Sequence, residues 1–295
     1  MGKASRRKRQ AQGQGTKTDP AQQRAPFVGR PFEGLQDETE WVAMREIVPA
    51  ATAPLTVTLP DGTPQQVTLT TVLPGAMPAL HRAGGEILVA LQSRTSSGDA
   101  SRDIAQAVIT AAAAEPGTPL TSVRPATMGT PRLQDLVDAG QRLTPTVHED
   151  FSYWMGEDEV TPEAAEALEQ TNEAAVPTVK IEELTSAYWC KMGGRTYIRW
   201  ILPDDEDAAV VAMARLQAAG EHTLGEGTVL LGAFRAAGLL VPVLEVPAQT
   251  EAADHVEALV ALQGRYDEAL GQDEALTPAE RRAREGLISR QVTLR

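Results

Sequence analysis

Residues 185–211 read TSAYWCKMGGRTYIRWILPDDEDAAVV. Two runs rich in aromatic and β-branched residues flank Gly193-Gly194. A Gly-Gly pair between such runs predicts a two-residue hairpin, because a primed turn needs positive φ at both central positions. Pro203 then breaks the second strand, four acids follow at Asp204–Asp207, and an apolar helix begins. The chain is therefore expected to be α+β, built from antiparallel hairpins packed with helices.

A similar stretch lies upstream. Residues 79–91 read ALHRAGGEILVAL, with a glycine pair at Gly84-Gly85 and a helical pattern from Ile104 to Ala114. Further on, residues 133–147 (LQDLVDAGQRLTPTV) and 231–243 (LGAFRAAGLLVPV) each read as an apolar helix, an Ala-Gly stop, an apolar pair and a proline in a β-like run. Val67-Thr68-Leu69 and Val179-Lys180-Ile181 make a matching pair of short strands. Such self-similarity at long spacing predicts an internal duplication, two tandem similar halves with a unit of roughly 110 residues. The expected boundaries are a tail over 1–25, a first half over 26–147, a second over 148–247, and C-terminal helices over 248–295.

The chain of 295 residues is long enough to bury a full core. Its single cysteine, Cys190, excludes a disulfide framework and a zinc-ribbon site and suits a reducing cytoplasm. No run approaches the length of a membrane span. The start, MGKASRRKRQ, has no apolar stretch behind it and so does not read as a signal peptide. Seven basic residues among the first 24, including Lys3, Arg6, Arg7, Lys8 and Arg9, face Asp19 alone, a net charge of +6. The whole chain carries −13, so the remainder carries −19. The composition of this tail predicts disorder, and its charge predicts contact with a polyanion such as RNA or the ribosome.

In order along the chain, Asp37 with Glu40 predicts a capping box, followed by a helix burying Trp41, Met44 and Val48. Leu55–Leu59 and Val67–Val72 predict strands joined at Asp61-Gly62, and Asp99 or Ser101 is placed to cap the next helix. Thr161-Pro162 opens an Ala/Glu-rich helix. Residues 207–218 are apolar nearly all round and predict a buried helix. Residues 228–237 read as another helix ended by Gly238, and 239–246 as a strand that Pro242 assigns to an edge or bulge. Thr277-Pro278-Ala279-Glu280 is a capping box with proline at the first helical position.

The segments Arg30–Leu35 (RPFEGL), Val48–Leu55 (VPAATAPL) and Leu143–His148 (LTPTVH), with the basic start, resemble a family of actinobacterial proteins of unknown function. The resemblance spans nearly the whole chain and implies no activity. A secretion-motor label attached to some such relatives does not fit these residues, since there is no G-x-x-x-x-G-K-[ST] loop and no cysteine cluster.

Candidate sites are few. Asp204–Asp207 supplies hard oxygen ligands, but acids at a helix start also complement the helix dipole. Cys190 could act as a nucleophile with His81, His148, His222 or His255 as base, although a lone strand cysteine is usually a small hydrophobe. His148, Glu149, Asp150, Phe151 and Trp154 form the best pocket candidate, because polar and aromatic groups cluster there in a loop. Tyr153, Trp154, Trp189, Tyr197 and Trp200 could line a groove, with core packing as the simpler role. No catalytic, metal or cofactor motif is present, and no DNA-specific one. The leading expectation is a non-enzymatic cytoplasmic binding or adaptor protein with a protein partner. The alternatives are an RNA- or ribosome-associated factor using the basic arm, and an enzyme with its site near His148–Asp150.

Overall fold

The computed structural model describes residues 19–94, 96–155, 162–173 and 175–289. They form an α+β fold with two sheets. The first is built from β1 (Ala51–Thr58), β2 (Pro64–Thr70), β3 (Ala79–His81), β4 (Ile87–Ala90), β5 (Thr118–Leu120) and β6 (Thr146–Val147), in the order β5-β3-β4-β2-β1-β6. Helices α1 (Glu38–Glu46), α2 (Ala100–Ala112) and the short α3 (Leu133–Leu136) belong to this half. After α4 (Pro162–Glu173), the second sheet comprises β7 (Thr178–Ile181), β8 (Ala187–Met192), β9 (Arg195–Trp200), β10 (Val229–Ala236) and β11 (Leu239–Val246), in the order β10-β11-β9-β8-β7. Helix α5 (Glu206–Ala219) leads from β9 to β10, and α6 (Val256–Leu270) and α7 (Pro278–Ser289) follow the sheet.

The Gly193-Gly194 hairpin forms as its sequence demands. Met192 pairs with Arg195, and the two glycines have φ of 59° and 76°. Alternation then divides the second sheet into two faces. Ala187, Trp189, Ile198, Trp200, Leu240 and Leu244 point to one face, where α5, α6 and α7 close a core with Met213, Leu259, Leu262 and Tyr266. Tyr188, Phe234, Leu239 and Val241 point to the other, where they join a core shared with α1, α2 and the first sheet. The sheet is thus a middle layer, helices behind it and the first half in front.

The segment RPFEGL locks the two halves. Phe32 is buried and stacks on Trp41 at 5.8 Å. Arg30 makes a bidentate pair with Glu38 (2.7 and 2.8 Å) and donates to the Pro203 carbonyl (3.1 Å). The expected capping box at Asp37 and Glu40 does not form. Asp37 sits in the left-handed region at φ 54° and makes no side-chain cap bond. Its carboxylate accepts instead from Arg142 and from the Leu143 N–H (3.1 Å). Burial alone would raise the Asp37 carboxyl, but these donors hold it below its ordinary value. Glu40 is buried and accepts from the Tyr188 hydroxyl, with Lys180 Nζ 3.3 Å away. Asp99 does cap α2, and the Thr277–Glu280 box caps α7 (2.6 and 3.3 Å).

Four other expectations are corrected. Residues 229–236 form β10, not a helix. Ala237 and Gly238 have φ of 44° and 86° and turn β10 into β11 as a two-residue hairpin, so the glycine read as a helix stop is a strand turn. Second, Pro242 lies in an internal strand. It fits because the ladder to β9 begins one residue later, at Val243–Arg199. Third, Gly84-Gly85 lies inside a five-residue loop closed by Arg82 N–H donating to Glu86 O (2.8 Å), and only Gly85 has positive φ. Fourth, the internal repeat is absent from the topology. In the first half the upstream strand β2 runs parallel to β4, the second strand of its hairpin, whereas β7 pairs antiparallel with β8, the first strand of its own.

The N-terminal segment also begins to be held earlier than its composition predicts. Arg24 bridges Thr127 and donates to Ser97 O (2.9 Å), Gly129 N–H donates to Ala21 O (2.9 Å), and Ala25 is buried. Lys3, Arg6, Arg7, Lys8 and Arg9 lie outside the described residues. Among the described residues no helix is long and apolar enough to cross a membrane.

Candidate functional site

The loop at 148–155 is brought together, and His148, Asp150, Phe151, Tyr153 and Trp154 hold the chain in place. His148 Nε2 lies 2.8 Å from Thr52 Oγ1, and its ring is 5.0 Å from that of Tyr153. Phe151 packs on Trp154 at 4.7 Å, and Trp154 Nε1 donates to Val72 O (2.9 Å). Arg82 clamps the loop by donating to the carbonyls of Tyr153 (2.6 Å) and Trp154 (3.1 Å). Asp150 accepts from Ser152 N–H (2.8 Å), and the Ser152 bonds hold its carboxyl below the ordinary range. Burial pushes the His148 ring below its ordinary pKa, with Asp150 opposing. Glu149 is exposed. The result is a strap across the outer side of the first sheet, with Trp154 against Leu73, Leu88 and Ala90.

The acidic run separates into four different bonds. Asp204 accepts from Tyr266 OH (2.7 Å), Asp205 caps α5 through Asp207 N–H and Ala208 N–H (3.0 and 3.2 Å), Glu206 pairs with Arg235, and Asp207 pairs with Arg284 (3.4 Å). The aromatic residues read as one groove are also dispersed. Trp189 and Trp200 point into the helical core, the latter edge-on to Tyr266 at 5.4 Å, while Tyr197 opens to the opposite face.

That opposite face carries the most site-like geometry. Towards the Gly193-Gly194 turn a pocket of about 240 Å³ opens among the described residues. Its lining includes Met192 from β8, Tyr197 and Arg199 from β9, Val243 from β11, and Leu231 and Phe234 from β10. A β-bulge between Leu230 and Gly232 helps to shape the β10 wall. Met192 is 47% exposed and Leu231 37%, so the apolar rim faces solvent.

Arg199 is the single charged residue of this lining. Its register partner is Tyr188, which belongs to the shared core, so the guanidinium stem rises from the pocket's inner end. The Nε atom is buried and has no acceptor among the described residues, and no ion pair there involves Arg199. The neighbouring acid, Glu245, is engaged by Arg195 at 3.5 Å. Cys190 also lines the pocket. Burial pushes its thiol up, more than the charge and hydrogen bond of Arg199 pull it down. None of the four histidines lines this pocket. His81 bonds to the carbonyls of Ala111 and Ala114 (3.1 and 2.9 Å), and His255 to Thr250 Oγ1 (2.7 Å).

A larger groove of about 690 Å³ runs between β1, β2 and the Gly84-Gly85 loop. Leu55, Val67 and Ile87 share its lining with amides and hydroxyls, Glu86 is its only charge, and the Gln141 amide, once turned over, pairs with Thr56 N–H and C=O at 2.8 Å each. It offers no unpaired buried group, and the smaller pocket is chemically the more distinctive.

The profile of a family of unknown function, DUF5926, matches residues 31–295. The chain belongs to this family. Nothing matches it among curated proteins or among solved structures. The DUF5926 match covers both sheets and all seven helices found among the described residues. Arg199, Leu231, Phe234 and Val243 escaped the sequence reading. A partial signal was present, since strict alternation from the Gly-Gly turn puts Cys190, Met192, Tyr197 and Arg199 on one face.

Proposed function

We propose that this DUF5926 chain is a binding or adaptor protein whose recognition site is the pocket on the open face of the second sheet. The supporting observation is Arg199, a half-buried guanidinium beside apolar walls whose Nε is buried without an acceptor among the described residues. A buried donor atom of this kind is normally hydrogen-bonded. A site with apolar walls and one oriented donor suits recognition, as in most small ligand sites. Cys190, kept as the neutral thiol, serves as wall.

The test replaces Leu231 by Glu, which sets a carboxylate on the rim facing Arg199. The wild-type protein is expected to bind the fluorescent apolar anion anilinonaphthalene sulfonate saturably. Leu231→Glu, with an unchanged melting transition, should weaken that binding by about tenfold or more, the equivalent of one charge-assisted hydrogen bond. Equal binding by the two proteins would remove the pocket from consideration as the recognition site.

A further inference from the structure

We infer that the ligand of this pocket is a small monocarboxylate with an apolar body, its carboxylate held by Arg199; this inference rests on the binding reading above. Four observations converge on that class. The guanidinium fork matches a carboxylate in a bidentate way, and its Nε is a buried donor with no acceptor. Arg199 is the single charge in the lining, and the nearby Arg195 is already paired with Glu245, so one negative charge is matched and a second is not. The volume of about 240 Å³ lies below the range of drug-sized ligands. Finally, β8, β9 and β11 are internal strands of the sheet. Their main-chain groups are used in the ladders, and the one edge strand of the lining, β10, is separated from Arg199 on β9 by β11, so an extended peptide finds no backbone partners beside Arg199 and a free small acid fits better there.

The probes are octanoate and its uncharged counterpart octanol, added to the full chain labelled with ¹³C at the methionine methyls. Met192 stands at the pocket mouth, and Met213 is buried behind the sheet in the helical core, where it reports on folding. Octanoate should shift the Met192 methyl saturably, leave Met213 in place, and bind about tenfold or more tighter than octanol. In Arg199→Gln the preference should vanish, both probes binding as octanol does to the wild type. Arg199→Lys keeps the charge without the fork and should retain part of the preference. Equal affinity of the two probes for the wild type, or a preference that survives in Arg199→Gln, would overturn the carboxylate assignment while the pocket itself stood. If neither probe moves Met192, the pocket reading falls as well.

Discussion

At the scale of single residues, the Tyr188 hydroxyl is held by burial and by a charged partner. Tyr188 is fully buried, points away from the helical core, and donates to the buried carboxylate of Glu40 on α1. Burial, and then the Glu40 charge, push the Tyr188 hydroxyl far above its ordinary pKa, so it remains a donor throughout the accessible pH range. Lys180 supplies the second partner of Glu40 at 3.3 Å. Tyr188→Phe leaves that carboxylate with Lys180 alone and should cost about 1–3 kcal/mol, the penalty for a buried acceptor that loses a donor. Tyr197→Phe, at the pocket, should stay within about 0.5 kcal/mol of wild type. Urea unfolding of both variants checks the pair, and similar losses would show that the Tyr188–Glu40 bond is not a significant tie between the halves. In the sequence Tyr188 was one aromatic residue in a strand, and Glu40 was read as a cap. A partner 148 positions away is not encoded in either neighbourhood.

At the scale of elements, two hairpins of similar turn geometry differ in what surrounds them. Gly193 and Gly194 turn in open space, whereas a Cβ on Gly238 would lie 2.8 Å from Arg30 Cβ and 2.9 Å from Gly29 O. Gly193→Ala should therefore cost only the left-handed backbone penalty, about 1–2 kcal/mol. Gly238→Ala carries a comparable penalty at φ 86° and should lose roughly 1–3 kcal/mol more by displacing the RPFEGL segment. Chemical denaturation midpoints at constant slope provide the comparison, and equal losses would mean that the close approach to Arg30 is relieved without strain. The Gly193-Gly194 hairpin was legible because the residues required for a primed turn are themselves the signal. β10 was not. The string VLLGAFRA suits a buried strand or a helix, and its buried positions alternate only in part, so pairing with β11 decided the state.

At the scale of the whole molecule, charge is divided between a short basic end and an acidic remainder. Residues 1–18 carry six basic side chains and no acid, and the rest of the chain has a net charge of −19. Any affinity for RNA or ribosomes is expected to reside in the basic end and to fall with salt, because it depends on counterion release. The anchoring contacts of Ala21, Arg24 and Ala25 place the cut before Asp19, since removing them would expose Gly129 and the Ser97 loop. The full chain should co-sediment with ribosomes at low salt and be released at high salt, and a chain starting at Asp19 should fold equally well and remain in the supernatant. Sedimentation of the shortened chain at an undiminished level would exclude the basic end as the contact.

The sequence by itself determined the features whose causes are local: the Gly-Gly turn, the Thr277 cap, the buried helix after Asp205, and the α+β class that follows from them. Each needs only a few consecutive side chains to satisfy or forbid a backbone conformation. Tertiary structure alone decided the parallel pairing of β2 with β4, the strand at 229–236, the unequal topology of the two halves and the position of the pocket. These depend on which surfaces cover one another. Arg199 lines an open pocket because Tyr188 on the same face is buried against α1 while Met192, four residues along the strand, is exposed among the described residues. That boundary is set by packing between distant segments, for which no local pattern of residues provides a signal.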